Sequence, residues 1–176
     1  LAAPQGADGT LGWQGSAWPE VWTLWSAALL DNAWPQWLAN VGVMGLMAAI
    51  GWAMGATRSD AVCLWLAWPL STWGLQLLPD VQGVVGLDGV THAAGAILLV
   101  RASRLWPDHA LTAFAAGALL LKLGLEHAWK TPHAFNAHWG GNVTYAVHLT
   151  GTVAGALLAY AAHRWGLNDA QFLDHR

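Results

Sequence analysis

Gly86-Leu87-Asp88-Gly89-Val90-Thr91-His92 is the stretch on which the reading of this chain turns. Two glycines flank one carboxylate at the mouth of an apolar run that continues to about Val100 and stops at Arg101 and Arg104. Glycine lets the backbone turn tightly and lets a neighbouring helix come close. A carboxylate in the first turn of a helix also meets the positive end of the helix dipole. Asp88 therefore has two readings: an N-cap for this helix, or a polar group presented at a functional mouth.

Outward from this stretch the chain alternates apolar runs with short polar breaks. Hydrophobic residues make up 56% of the 176 positions and charged residues 10%, against about 25% charge in an ordinary soluble domain. A spanning helix needs about 20 mostly apolar residues. On that basis spans are expected at 33–57, 61–78, 86–100, 109–129 and 142–162, with Arg58-Ser59-Asp60 as a turn and Pro79-Asp80 as a stop. Val21 to Leu30 reads as a short interfacial helix. The expectation is an all-α membrane protein with five transmembrane helices. It has an outward polar segment at 1–20, a transmembrane domain at 21–164 and a cytoplasmic tail at 165–176. Arg58, Arg101, Arg104 and Arg164 fall on one side, which the positive-inside rule makes cytoplasmic in a bacterial inner membrane. An outward N-terminus without a visible signal then expects a preceding helix outside this sequence.

Fourteen Trp stand against three Phe. Trp13, Trp18, Trp22, Trp25, Trp34 and Trp37 crowd the first third, as an interfacial collar would. Stacking platforms for pigment are the alternative. Net charge is −3 and no basic stripe exists, so a nucleic-acid partner is not expected. Cys63 is the one cysteine and reads as a small apolar residue within a helix.

Ionisable groups within apolar runs are costly and mark candidate sites. His148 stands one turn before Gly151, and Gly151 with Gly155 forms a small-xxx-small packing face. His148 should thus point where a close neighbour packs; an inter-helix hydrogen bond is the plain alternative. Lys122 and Glu126 are four apart on one helix face and read as an internal ion pair. Asn40 completes the polar set, as an inter-helix clamp or as a donor to an oxyanion.

This arrangement resembles the rhomboid intramembrane proteases, and within them the bacterial rhombosortases. Gly86-Leu87-Asp88-Gly89 is similar to the family's Gly-x-Ser-Gly motif except at the serine. His148, Gly151 and Gly155 match its His-x-x-Gly-x-x-x-Gly motif. Asn40 resembles the helix-borne Asn that helps to stabilise the oxyanion, and 21–40 resembles the interfacial entry loop. His92 and the Lys122/Glu126 helix look like rhombosortase features. The resemblance spans roughly 22–162 and implies a site of Asp88, His148, Asn40 and Gln36. It also implies partners that are transmembrane helices within lipid, and cleavage of C-terminal sorting tails as the family's activity.

Three departures matter. Asp88 has no hydroxyl for His148 to activate, and many family members carry His where this chain has Gln36. The family's first helix is also without a counterpart. The expected function is therefore a pseudoprotease that binds transmembrane partners, with an accessory role in a larger membrane complex as the setting. An active rhombosortase-type protease cutting C-terminal sorting tails, with Thr91, Thr144 or Thr150 as nucleophile, or an inactivated variant of such a protease with Asp in place of Ser at 88, is the second reading. A haem- or chlorophyll-binding subunit using His92, His127, His133, His138 and His148 is the third. No cofactor or metal is predicted; there is no Cys-x-x-Cys-His and no His-Glu-x-x-His.

Overall fold

The computed structural model describes residues 12, 20–30, 34–78, 81, 83–138 and 141–166. The expected 1–20 segment with Trp13 and Trp18, the Pro79-Asp80 stop, and the tail beyond Gly166 lie outside the described residues, save Gly12 and Glu20. Six α-helices are present among them: α1 (Thr23–Ser26), α2 (Trp34–Ala53), α3 (Arg58–Trp73), α4 (Asp88–Leu105), α5 (Ala110–Glu126) and α6 (Tyr145–Arg164). A 3-10 turn, Ala27–Leu29, continues α1, and another, Gly74–Leu77, continues α3. A two-stranded antiparallel hairpin, β1 (Ala134–Asn136) and β2 (Gly141–Val143), sits between α5 and α6. The expected spans at 109–129 and 142–162 leave this stretch as a connection between them.

The helices correct the expected architecture. Of the described helices, α6 alone is long and apolar enough to cross a membrane. A five-span rhomboid-like transmembrane bundle is therefore not supported, and neither is a multi-pass inner-membrane location with a cytoplasmic C-terminus. The reasons lie in length and polarity. The 61–78 run becomes a 16-residue helix followed by a 3-10 turn, and the 109–129 run a 17-residue helix. Both fall short of the roughly 20 residues a span needs. In α4 the apolar stretch is bracketed by Asp88, Arg101 and Arg104. In α2, Trp, Pro, Gln and Asn dilute the aliphatic residues.

Local chemistry explains the helix boundaries. Arg58-Ser59-Asp60 is not a turn but the first turn of α3. Thr57 caps it reciprocally: the Thr57 side chain accepts from the Asp60 amide, and the Asp60 carboxylate accepts from the Thr57 amide, a capping box. His127 ends α5 in the left-handed conformation, with φ 48°. The expected interfacial helix is shorter than 21–30 and is packed down. Ala27 and Ala28 are buried, the Gly86 amide donates to the Ala27 carbonyl at 2.9 Å, and Trp68 Nε1 donates to the Trp25 carbonyl at 3.1 Å.

The heart of the molecule is α4 against α6, with α3 across both. Gly151 and Gly155 make that approach possible. A Cβ on Gly151 would collide with the Gly89 carbonyl, and one on Gly155 with the Ala93 carbonyl. Backbone thus meets backbone, the closest packing two helices can reach. Thr150 Oγ1 donates to the Ser71 carbonyl at 2.6 Å and ties α6 to α3. Around this centre lie small apolar clusters: Ala27, Leu75, Val84, Ala146 and Val147 at one end, and Cys63, Ile97, Ala159 and Ala162 at the other.

At the far end Arg101 binds α4 to the α2–α3 turn. Its guanidinium pairs with Asp60 at 3.0 Å and donates to the carbonyls of Met54, at 3.1 Å, and Gly55. The helix α5 is different. Leu123 is its one buried residue, and Leu111, Phe114, Leu120, Leu121 and Leu125 are exposed. The outer side of α2 is also apolar and exposed at Leu38, Leu46 and Trp52.

Candidate functional site

The α4–α6 approach sets the depth of two side chains. Asp88 opens α4 and His148 lies in the first turn of α6, so packing the glycine faces together brings imidazole to carboxylate. Leu87, not Asp88, occupies the N-cap position of α4 and its side chain makes no cap bond. The Asp88 carboxylate is turned instead toward α2 and α6. Gln36 Nε2 donates to Asp88 Oδ2 at 3.0 Å. His148 Nε2 lies 3.9 Å from Asp88 Oδ1, beyond hydrogen-bonding distance.

His148 is held on three sides. On the far side of its ring, Nδ1 lies 2.9 Å from Glu126 Oε2. The ring of His92 stacks on it with centroids 4.2 Å apart and planes 11° from parallel. Tyr145 meets it edge-on at 5.8 Å. Lys122 pairs with Glu126 through Oε1 and also comes within 3.1 Å of His148 Nδ1. His148 Nε2 and Gln36 Oε1 are buried with no hydrogen-bond partner among the described residues.

The electrostatics follow from these contacts. Burial acts to raise the Glu126 pKa, but hydrogen bonds from His148 and Lys122, with their charges, hold it below its ordinary value. Glu126 is thus an anion that accepts from His148 Nδ1–H. In the neutral ring the Nε2 lone pair then faces Asp88. His92 is different. Burial, followed by the charges of His148 and Lys122, pushes its pKa down to about 3. It is a neutral ring whose Nδ1–H donates to the Asp88 carbonyl at 2.6 Å.

The sequence had placed these groups in separate sets. Lys122 and Glu126 read as a self-contained ion pair; the structure makes Glu126 the partner of His148 as well. Gln36 stands where many members of the resembled family carry His; the structure aims its amide at the Asp88 carboxylate. Asn40 is buried one turn further along α2. The link from Glu126 to His148 was missed. Its only trace in the sequence is a carboxylate at the end of α5, where it could reach the start of α6.

The other candidates do not assemble. Thr91 Oγ1 donates to the Asp88 carbonyl at 2.8 Å, and Thr150 Oγ1 is bonded to Ser71. Neither hydroxyl faces His148 Nε2, and Thr144 sits at the N-cap of α6. His127 turns its Nδ1–H back to the Leu125 carbonyl, while His133 and His138 are exposed near the hairpin. Among the described residues no group of three His, Cys, Asp or Glu side chains is placed to hold a metal ion.

No protein-family model matches this chain, and no curated protein or solved structure matches it significantly.

Proposed function

We propose that this chain is a rhomboid-like pseudoprotease that binds an apolar helix of a partner protein and does not cut peptide bonds, as an accessory subunit of a larger assembly. The observation that carries the reading is Asp88. It stands where peptide cleavage needs a hydroxyl, facing His148 Nε2 and bonded to Gln36. A carboxylate attacking an amide would form a mixed anhydride and expel an amine, an uphill route to acyl transfer. Gln36, the donor position that would stabilise an oxyanion, is spent on Asp88 Oδ2. The apolar outer faces of α2 and α5 supply surface for a helix to lie on. Leu38, Leu46 and Trp52 on one, and Phe114, Leu121 and Leu125 on the other, are all exposed, and contiguous exposed apolar surface marks an interaction site.

A photo-crosslinking residue in place of Leu121, expressed in the native host, tests the binding role. The expected outcome is one partner at fixed stoichiometry, joined through an apolar helix and retained in native mass spectrometry. A chain that stays alone, or a wild-type chain that hydrolyses a peptide substrate, would sink the reading. Asp88→Ser supplies the control for the lost chemistry: labelling of position 88 by a fluorophosphonate is expected in that variant and not in the wild type.

A further inference from the structure

The 3.9 Å between Asp88 Oδ1 and His148 Nε2 suits a chemistry that amide cleavage does not use. We propose that Asp88 is a nucleophile toward saturated carbon. On this proposal the site hydrolyses small primary alkyl electrophiles, an alkyl bromide being the simplest, through an ester on Asp88. This goes beyond the binding role and does not rest on it.

Four placements carry the proposal. Oδ2 of Asp88 is held by Gln36 Nε2 at 3.0 Å, which leaves Oδ1 without a hydrogen bond among the described residues. The Asp88 side chain keeps 17% of its surface exposed, so it is not sealed from solvent as the His148 ring is. His148 Nε2 is buried, unpartnered, and set back from Oδ1 by more than a direct hydrogen bond, a separation suited to a base that works on water rather than on the carboxylate. Glu126, bonded to Nδ1 at 2.9 Å, directs the Nε2 lone pair toward Asp88, and the stacked His92 ring fixes the imidazole plane. Carboxylate nucleophile, imidazole base and orienting carboxylate form one line, the arrangement by which covalent catalysis splits a hard step into two easier ones.

The electrons and protons balance without a cofactor. Asp88 Oδ1 gives an electron pair to the primary carbon, and the carbon–bromine bond breaks with its pair leaving as bromide. His148 Nε2 then takes a proton from water, whose oxygen adds to Cγ of the ester. The negative charge falls on Oδ2, where Gln36 Nε2–H already points. Collapse expels the alcohol oxygen, formerly Oδ1, and that oxygen takes the proton from the imidazolium. Asp88, left as the acid, returns its proton to solvent. Alkyl bromide and water become alcohol, bromide and a proton. The alcohol's oxygen comes from Asp88, and the oxygen of water is left in the carboxylate. In this scheme Asp88 and His148 are catalytic residues, Gln36 stabilises the oxyanion, and Glu126 is a positioning residue.

That oxygen trail is the test. The full wild-type chain, in excess over 1-bromobutane, is incubated in heavy-oxygen water. Expected are release of bromide, unlabelled butanol, and heavy oxygen in the peptide that contains Asp88. Asp88→Asn should release no bromide. Given 1-bromobutane in excess instead, His148→Gln should release one bromide per chain and hold the butyl ester roughly a hundredfold longer, and Glu126→Gln should give an intermediate lifetime with the first bromide release intact. The wild-type labelling stands even if a variant fails to fold. No bromide release above buffer, or label in butanol with none on Asp88, would overturn the proposal. A partner-free chain that still labels Asp88 would overturn the binding role alone.

Discussion

His148 is clamped between two carboxylates on different helices, with Glu126 Oε2 2.9 Å from its Nδ1 and Asp88 Oδ1 3.9 Å from its Nε2. One imidazole thereby joins α4, α5 and α6. Its ring is almost wholly buried, and both carboxylates are mostly so. Removing it leaves two acids facing a gap, with Lys122 paired to Glu126 alone. His148→Ala should therefore cost about 2–3 kcal/mol, the scale on which a buried charged group loses a hydrogen-bonding partner. A melting temperature within a degree of wild type in thermal unfolding would refute the clamp.

Among the described helical glycines two kinds stand apart, and alanine substitutions separate them. Gly151→Ala drives a Cβ into the Gly89 carbonyl, a backbone atom that cannot move aside without shifting α4. Overpacking of this sort costs about 1–3 kcal/mol or more. Gly42 and Gly117 have open space where a Cβ would go. Alanine there should instead stabilise by up to about 1 kcal/mol through helix propensity. Denaturant midpoints for the three variants, measured side by side, should fall on opposite sides of wild type.

Acid should destabilise the fold through His92 and Glu126 together. Unfolded, His92 takes a proton near its ordinary value of 6.5; folded, it resists until about 3. Between these values the unfolded state binds more protons, so stability is full above 6.5 and declines as pH falls. The decline approaches about 1.4 kcal/mol per pH unit for one proton. Glu126, held below its ordinary 4.5 when folded, adds a loss of the same sign as pH drops below that value. His92→Gln should flatten the stability profile between pH 6.5 and 5 while leaving the steeper fall below 4.5. An unchanged slope in thermal melts across that range would show that His92 is not the titrating group.

Arg101 offers a probe of the opposite end. Its guanidinium serves Asp60 and two backbone carbonyls at once, a planar fork that an ammonium cannot copy. Arg101→Lys should leave one of the carbonyls at Met54 and Gly55 unpaired and cost about 1–3 kcal/mol. Hydrogen exchange should accelerate around the α2–α3 turn, and protection there equal to wild type would count against the latch.

What the sequence determined by itself was local. The spacing of glycines in Gly151-x-x-x-Gly155 marks one helix face as the side of closest approach, because residues four apart share a face. Lys122 with Glu126 make a pair within one helix, whereas Arg58-Ser59-Asp60 reads as a turn and only the structure shows it as a capped helix start. The apolar runs locate the helices to within a few residues. Their membrane reading failed because composition over a window does not reveal where caps, 3-10 turns and flanking charges cut the helices short. The site itself was decided by tertiary structure. Whether Glu126 reaches His148, whether Gln36 reaches Asp88, and whether Nε2 sits at bonding distance or beyond it all depend on how α2, α4, α5 and α6 are rotated and set in depth. Those are relations between helices. The periodicity of any single helix fixes which face looks inward, and only packing fixes what it meets there.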